Sequence, residues 1–223
     1  HRDLHSFPTR RSSDLIAAVE TLRRLEDEKR SPNSVERESL NRYTGWGGLP
    51  QAFNLQQSDT AWAARAAPLK ALLTAGEWQS AFDSTPNAHY TSLEVVRAIW
   101  AAVKRLGFNG GRVIEPAAGV GYFLGAMPSA MAQRSEITAV EMDDISSRIL
   151  DKLYGDKATI QHSAFEALPL PEEFFDLAIS NVPFGNYPVT ELRNVAYAKF
   201  LVHDYFFARS LSLLRPGGLL AFV

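Results

Sequence analysis

The chain has 223 residues and a formal net charge of −2 at pH 7. This length is enough for one domain with a hydrophobic core and a smaller appendage. The sequence contains no cysteine, which excludes disulfides and cysteine-ligated zinc, and it contains no apolar stretch as long as a membrane span. These features fit a cytoplasmic protein with no membrane partner. A nucleic-acid binder usually carries a basic excess, which this chain lacks.

Residues 1–15 are expected to be an artefact rather than part of the natural protein. They read HRDLHSFPTRRSSDL, which is the translation of a nucleotide string used as a sequencing-library adapter. A segment of this kind is left out of fold reasoning. It carries three arginines and two aspartates, so the rest of the chain has a net charge of −3. We therefore expect Ile16 to be an internal residue of a longer protein, and further chain to follow Val223.

Residues 16–88 are predicted to form a helical N-terminal extension. Apolar residues recur at helical spacing at Ile16, Val19, Leu22 and Leu25. Asn33 followed by Glu36 resembles a capping box, which predicts a second short helix to about residue 43. Residues 43–50 then contain three glycines and a proline, so they are predicted to be an irregular loop in which Trp46 packs. The alanine-rich stretch that follows is predicted to be helical.

Residues 89–223 are predicted to form an α/β domain with a parallel, doubly wound sheet. Thr91 and Glu94 form a second capping-box pattern before an amphipathic helix that Gly107 ends. The predicted strands that follow are 112–115, 137–141, 158–162, 176–180 and 219–223. The predicted helices between them are 122–131, 144–154 and 197–214. This alternation favours a sheet covered by helices on both faces, with ligands at the carboxyl ends of the strands.

The first candidate ligand site follows the first predicted strand. There the chain reads Glu115-Pro116-Ala117-Ala118-Gly119-Val120-Gly121-Tyr122-Phe123. Gly119 and Gly121 let the backbone approach a ligand and adopt positive φ, and the helix that follows offers N–H groups to a carboxylate. A tight strand–helix turn without a ligand would have the same pattern. The third glycine that a dinucleotide site needs near Leu124 is absent, which disfavours a nicotinamide-dependent oxidoreductase.

Acidic and aromatic residues follow the second and third predicted strands. Glu141, next to Met142, closes the second strand, where an acid can accept hydrogen bonds from ribose hydroxyls. A solvated strand end is the alternative for Glu141. Phe165 follows the third strand and either meets an adenine ring or belongs to the core. Asp143 and Asp144 are predicted to cap the next helix.

The fourth predicted strand ends at Asn181-Val182-Pro183-Phe184. An asparagine oxygen and the following backbone carbonyl can accept both hydrogens of an exocyclic amine, proline stiffens the turn, and Phe184 offers a face to an extruded base. Asn-x-Pro is also an ordinary turn. Its place beside the strand that leads to Gly119 favours the catalytic interpretation.

Together these motifs resemble those of the amino-directed DNA methyltransferases, (Asp/Asn/Ser)-Pro-Pro-(Tyr/Phe) for catalysis and Asp-Pro-x-x-Gly-x-Gly-x-Phe for S-adenosylmethionine (SAM). The resemblance implies a Rossmann-like SAM-dependent methyltransferase fold and no metal. The implied SAM-binding residues are Tyr90, Thr91, Glu115, Pro116, Ala117, Gly119, Gly121, Phe123, Glu141, Met142, Phe165 and Asn181. The implied catalytic residues are Asn181, Val182, Pro183 and Phe184. Two residues depart from the family motifs: Glu115 stands for aspartate, and Val182 stands for proline, which makes the turn less rigid.

More narrowly, residues 16–223 resemble large methylase–helicase fusion proteins of bacterial plasmids, phages and conjugative elements. The segments that carry this likeness are Tyr-Thr-Gly-Trp-Gly-Gly-Leu, His-Tyr-Thr-Ser, Asn-Val-Pro-Phe-Gly-Asn-Tyr and His-Asp-Tyr-Phe-Phe. The likeness implies methylation of adenine N6 in double-stranded DNA through a flipped base. It also implies helicase and target-recognition regions on the same full-length chain.

Three other functions stay open. Cytosine amino methylation is a near variant, whereas methylation of cytosine carbon would need a cysteine nucleophile. RNA or a protein glutamine could be the substrate instead, because both enzyme classes use a similar turn. The chain could also be a non-catalytic SAM- and DNA-binding anti-restriction module. His203 and Asp204 are interpreted as packing or surface residues.

Overall fold

The computed structural model describes residues 7–47, 53, 60–85, 91–190, 197 and 199–223. The helices described in the N-terminal part are α1 (Phe7–Asp27), α2 (Ser34–Asn41), α3 (Thr60–Leu72) and α4 (Ala75–Ser84). The predicted capping box at α2 is confirmed, because the Asn33 side chain accepts from the Glu36 N–H and the Glu36 carboxylate accepts from the Asn33 N–H. No helix among these described segments, or among those that follow, is long and apolar enough to cross a bilayer.

The rest of the described chain alternates strands and helices. The strands are β1 (Arg112–Glu115), β2 (Glu136–Glu141), β3 (Thr159–His162), β4 (Phe175–Ser180) and β5 (Leu214–Phe222). The helices are α5 (Leu93–Arg105), α6 (Tyr122–Ala126), α7 (Ser129–Ala132), α8 (Asp144–Tyr154) and α9 (Val202–Leu213), with a short 3₁₀ helix at Phe165–Ala167. The five strands form one sheet in the order β3-β2-β1-β4-β5, and every neighbouring pair is parallel. The predicted parallel α/β fold is thus confirmed.

Both faces of the sheet are covered at its central strand β1, where successive side chains pack in different hydrophobic clusters. Val113 packs with Trp100 of α5, whereas Ile114 packs in a cluster with Tyr205 and Phe206 of α9. Successive side chains of a strand point to opposite faces, so each face of β1 has its own hydrophobic layer. This two-sided burial is clearest in β4, where the consecutive residues Leu177, Ala178 and Ile179 are all buried.

Four local predictions differ from the structure. The N-cap of α5 is Ser92, whose side chain accepts from the Val95 N–H, and not Thr91. The predicted helix 122–131 is two short helices, because Met127 takes the extended backbone that a residue before proline favours. The last strand begins at Leu214, five residues before its predicted start, and a register shift against β4 accommodates Pro216 and two glycines. The predicted helix 197–214 is shorter at its start and spans Val202–Leu213.

The N-terminal helices share a hydrophobic cluster with the sheet domain. The face of α1 that is buried there carries Leu15, Ala18, Val19, Leu22 and Leu25. Ile145, Ile149 and Leu153 of α8 belong to the same cluster. The described part of α1 begins at Phe7 and so includes residues 7–15 of the segment predicted to be an artefact; the origin of that segment stays a prediction.

A buried carboxylate reinforces this contact. Glu77 of α4 accepts hydrogen bonds from Arg23 of α1 and from Arg148 of α8, each at 2.5 Å. Burial raises the pKa of the Glu77 carboxyl, but the hydrogen bonds from Arg23, the Thr74 backbone and Arg148 lower it by more, to about 2. The ionised form of Glu77 therefore joins three helices.

Acid should weaken this junction. A carboxyl whose folded-state pKa lies below its unfolded value contributes stability above the unfolded pKa, and loses that contribution as the pH falls toward the folded value. Between about pH 5 and about pH 3, we expect the free energy of unfolding of the wild type to fall by about 1 kcal/mol more than that of Glu77→Gln, after allowance for solvent screening. Urea titrations at the two pH values measure this difference. Glu38→Gln, at an exposed position, is the matched control and should follow the wild type. Equal acid sensitivity of Glu77→Gln and the wild type would contradict the conclusion that ionised Glu77 stabilises this junction.

Candidate functional site

A cleft of about 570 Å³ opens at the carboxyl ends of the central strands. Strand β1 pairs with β2 on one side and with β4 on the other, so the loops that follow these three strands are neighbours. Open parallel sheets bind ligands at this edge, where the strand order reverses. The cleft volume lies in the range of small-molecule and cofactor sites.

The loop after β1 is held between the ends of its two neighbours. The Ala118 N–H donates to the Val140 carbonyl of β2 at 2.8 Å, and the Ser180 hydroxyl of β4 donates to the Ala117 carbonyl at 3.1 Å. Gly119 lines the cleft with a φ of +55° and has open space where a Cβ would lie. The backbone at Gly119 can therefore be approached closely by a ligand.

Gly121 has a packing role beside the one predicted. Its φ is +85°, and a Cβ built on it would lie 2.7 Å from the Tyr154 ring and 2.8 Å from Leu150. It is not among the residues that line the cleft. Gly121 is needed for the close packing of the loop against α8, and its contact with the cofactor stays a prediction.

Glu141 at the end of β2 faces the Gly119 loop. One carboxylate oxygen accepts from the Gly119 N–H at 2.7 Å, and the other accepts from the Asp143 N–H at 2.8 Å. Burial raises the pKa of Glu141, and the Asp143 charge raises it further. The backbone hydrogen bonds oppose this rise, and the resulting pKa is about 7. The carboxylate is thus fixed in place while each oxygen keeps a lone pair for a ligand.

Two further polar atoms are buried at the cleft without a hydrogen-bond partner among the described residues. These are the Glu115 Oε2 atom at the end of β1 and the Thr91 hydroxyl before α5. Burial raises the pKa of Glu115 well above its usual range, and the Glu141 charge adds to the rise. A buried polar atom costs free energy unless it is paired, so both atoms fit a ligand with hydrogen-bonding groups.

The Asn181 turn approaches the cleft from β4, but only part of it lines the cleft. Asn181 and Pro183 are among the lining residues. The Val182 side chain is 6% exposed and packs in the cluster of Tyr205 and Phe206. A catalytic role for Val182 can therefore come only from its backbone carbonyl, because its side chain is part of the core.

The Phe184 ring lies outside the group of described residues that line the cleft. Its ring is 47% exposed and stacks on His203, with 6.3 Å between centroids and 28° between planes. His203, interpreted from the sequence as a packing or surface residue, is thus the partner of the aromatic ring that was predicted to receive a base.

Most of the predicted SAM-binding residues come together in the cleft. Those that line it are Thr91, Glu115, Pro116, Ala117, Gly119, Phe123, Glu141, Met142, Phe165 and Asn181. Tyr90 lies outside the described residues. Phe165 lines the cleft and is also buried against Phe206, with ring centroids 5.0 Å apart, and its contact with an adenine ring stays a prediction.

Sequence reasoning missed a second group of lining residues. From the N-terminal part these are Tyr43, Thr44, Gly45, Trp46, Asp83 and Ser84. Beyond β3 and β4 they include Glu166, Tyr187, Pro188, Val189, Thr190, Val202 and Phe206. The glycine-rich loop around Trp46 was the one signal of the first set. Its prediction as a turn that packs Trp46 is confirmed, because that side chain is fully buried.

Two known proteins are similar to parts of this chain in sequence. The chain is 31% identical over 138 residues to defense against restriction protein B of Escherichia phage P1, covering 60% of this chain and 6% of that protein. It is 32% identical over 131 residues to type II methyltransferase M.TthHB8I of Thermus thermophilus, covering 52% of this chain and 29% of that protein. The chain thus spans less than a third of the length of either relative. No protein-family model matches the chain.

A solved structure agrees with the fold over nearly the whole chain. A Listeria monocytogenes protein described as a class I SAM-dependent methyltransferase superposes with a TM-score of 0.50 at 17% identity, over 96% of this chain and 73% of that chain. The chain has the class I methyltransferase fold. The predicted Rossmann-like fold class is confirmed.

The two glycines of the loop should differ in how much a methyl group costs. Gly119→Ala places an L-residue at positive φ in open space, which should lower the free energy of unfolding by about 1 kcal/mol. Gly121→Ala adds a steric clash with α8 and should cost about 3 kcal/mol. Urea unfolding of the two variants measures both values. Equal losses would contradict the different roles assigned to these glycines.

Proposed function

We propose that this chain is the methyltransferase part of a larger protein that transfers a methyl group from SAM to N6 of adenine in double-stranded DNA. The observation that carries the proposal is the meeting of two loops in one cleft. The Gly119 loop at the end of β1 and the Asn181 turn at the end of β4 both line it. Direct methyl transfer requires that the cofactor and the base are bound next to each other, as a cofactor loop beside a base-binding turn would achieve.

The cleft has groups that suit each part of SAM. Glu141 would accept from the ribose hydroxyls, since its carboxylate is held at the end of β2 by two backbone N–H groups. Met142 and Phe165 would contact the adenine ring. Glu115 and Thr91 would meet the amino and carboxylate groups of the methionine end, because both contribute buried polar atoms at that side of the Gly119 loop. Bound SAM supplies the methyl group, carried on a sulfonium that makes it electrophilic.

The residues of this chain would act on the base by position and hydrogen bonding. The Asn181 side-chain oxygen and the Val182 carbonyl would accept the two hydrogens of the adenine amino group. Accepting both hydrogens aims the nitrogen lone pair at the methyl group and stabilises the positive charge that develops on that nitrogen. Pro183 limits the freedom of the turn. The exposed Phe184 ring, supported by His203, would stack on a flipped base at the mouth of the cleft.

The relatives support DNA as the substrate. The Thermus relative is a type II methyltransferase, and the phage relative is a defence against restriction. Restriction and its modification enzymes act on DNA, so both names favour DNA over RNA or a protein glutamine. We further propose that the full-length protein carries helicase and target-recognition regions, belongs to a mobile element, and acts in the cytoplasm, where DNA and SAM are both present. A basic surface outside this chain would supply the DNA affinity that its net charge of −2 lacks.

A non-catalytic anti-restriction module is the second candidate. The similarity to a phage defence protein favours it. Val182 in place of the family's proline also favours it, because the turn loses some rigidity. Such a module would bind SAM and DNA without methyl transfer.

Removing the Asn181 side-chain oxygen should abolish most methyl transfer. We expect Asn181→Ala to lower the rate by roughly a hundredfold or more, the size found when one transition-state hydrogen-bonding group is lost. SAM affinity should fall much less than the rate, because Asn181 is only one of the residues proposed to bind SAM. Mass spectrometry of nucleosides from unmethylated DNA incubated with SAM and the full-length protein measures N6-methyladenine directly, and also reports methylated cytosine.

Asn109→Ala is the matched control, since Asn109 is exposed on the loop that precedes β1, at the opposite end of the sheet. It should methylate like the wild type. Wild-type protein that binds SAM but yields no methylated base would overturn the enzyme proposal and favour the non-catalytic module.

Cofactor affinity should depend on pH through Glu141. Ribose hydroxyls donate to the ionised carboxylate, so binding weakens as the pH falls through the pKa of Glu141, which is about 7. We expect the SAM dissociation constant to rise about tenfold between about pH 8 and about pH 6. Glu141→Gln should bind more weakly at the higher pH and should lose this dependence. Calorimetric titration of both proteins across the range checks this, and identical pH profiles would contradict it.

A further inference from the structure

The Asp143 carboxylate joins the loop around Trp46 to the start of α8. Its side chain is 2% exposed. The Trp46 indole N–H lies 3.2 Å from both carboxylate oxygens, and the Ser80 hydroxyl of α4 lies 3.2 Å from one of them. The Tyr43 hydroxyl approaches at 3.5 Å. The N-terminal part of the chain therefore supplies three of the donors to this carboxylate.

Asp143 is also the N-cap of α8. The same carboxylate accepts from the Ser146 N–H at 2.8 Å and from the Ser146 hydroxyl at 2.6 Å. A buried carboxylate needs several donors to offset its desolvation, and here those donors come from three separate elements. The direction in which the chain leaves β2 is thus fixed by contacts to Trp46 and to Ser80.

The backbone of Asp143 reaches the candidate SAM site. Its N–H donates to Glu141 at 2.8 Å, and the other oxygen of Glu141 accepts from the Gly119 N–H at 2.7 Å. The Trp46 indole is thus linked to the Gly119 loop by hydrogen bonds to the Asp143 side chain and from the Asp143 backbone N–H to Glu141, joined through the covalent structure of Asp143. Trp46 itself lines the same cleft.

We propose that Trp46 and Asp143 are positioning residues for the Glu141 carboxylate, so that the N-terminal helical part of the chain is a component of the SAM site. This inference rests on the proposed function, in which Glu141 binds the ribose hydroxyls. The physical reason is that one of the backbone donors to Glu141 is the N–H of Asp143, whose carboxylate is held in turn by Trp46 and Ser80.

The test is a calorimetric titration of the full chain and its Trp46→Phe variant with S-adenosylhomocysteine and with its 2′,3′-dideoxy analogue. Phenylalanine keeps an aromatic ring in the cluster with Phe53 and Tyr43 and removes the N–H donor. We expect the affinity for S-adenosylhomocysteine to fall about tenfold, the usual effect of losing a residue that orients a ligating group. Affinity for the analogue, which lacks the hydroxyls, should change less than twofold.

Trp78→Phe is the matched control. Trp78 belongs to the same aromatic cluster, with its ring 4.7 Å from Phe53, but it is not among the described donors to Asp143. It should leave both affinities unchanged. If Trp46→Phe does not fold, as judged by circular dichroism, Ser80→Ala can be tested instead, because it removes another donor to Asp143. It should lower the affinity for S-adenosylhomocysteine by a smaller factor and leave the affinity for the analogue nearly unchanged.

The outcomes separate the two proposals. If Trp46→Phe loses affinity for both ligands equally, or for neither, the positioning role of Trp46 would be overturned while the proposed function stays in place. Wild-type protein that binds the two ligands equally would also overturn it, because Glu141 would then have no ribose contact to position. Wild-type protein that binds neither ligand would remove the proposed function itself and this inference with it.

Discussion

The parallel pairing of β1 with β2 on one side and β4 on the other is the constraint on which the site depends. This pairing brings three strand ends to one edge, so residues far apart in the chain face a common space. The Gly119 loop then bonds to both neighbours, through Ala118 to β2 and through Ala117 to β4. The cleft is therefore rigid on the side where the backbone must approach a ligand, and its shape follows directly from the order of the strands.

Electrostatics gives the same edge its chemical character. Glu115, Glu141 and Asp143 lie close together, and burial with mutual repulsion raises the pKa of the first two. Like charges at close range favour the neutral forms unless donors or a cationic ligand offset them. A cofactor that brings a positive charge and several donors would relieve this repulsion. The cluster of acidic residues is therefore consistent with the proposed SAM site.

Local patterns predicted the fold well because the strands and caps depend on neighbouring residues. The apolar run before Ser180 and the capping box at Asn33 both formed as expected. Contacts between distant segments could not be predicted this way. Nothing in the sequence near Trp46 indicates that its indole bonds to Asp143, and nothing near Val182 indicates that α9 buries its side chain. The twofold use of Phe165 likewise follows from packing, which a single sequence does not show.

The cluster shared by α1 and α8 bears on how the protein could have been assembled from parts. Leu22 and Leu25 of α1 are fully buried in the same cluster as Ile145 and Ile149 of α8. A sheet domain separated from the N-terminal helices would expose this apolar face to water, and such faces cause self-association. The helices could not be exchanged for another segment without a replacement surface for α8. Recombination would therefore transfer the two segments together, as one inherited unit.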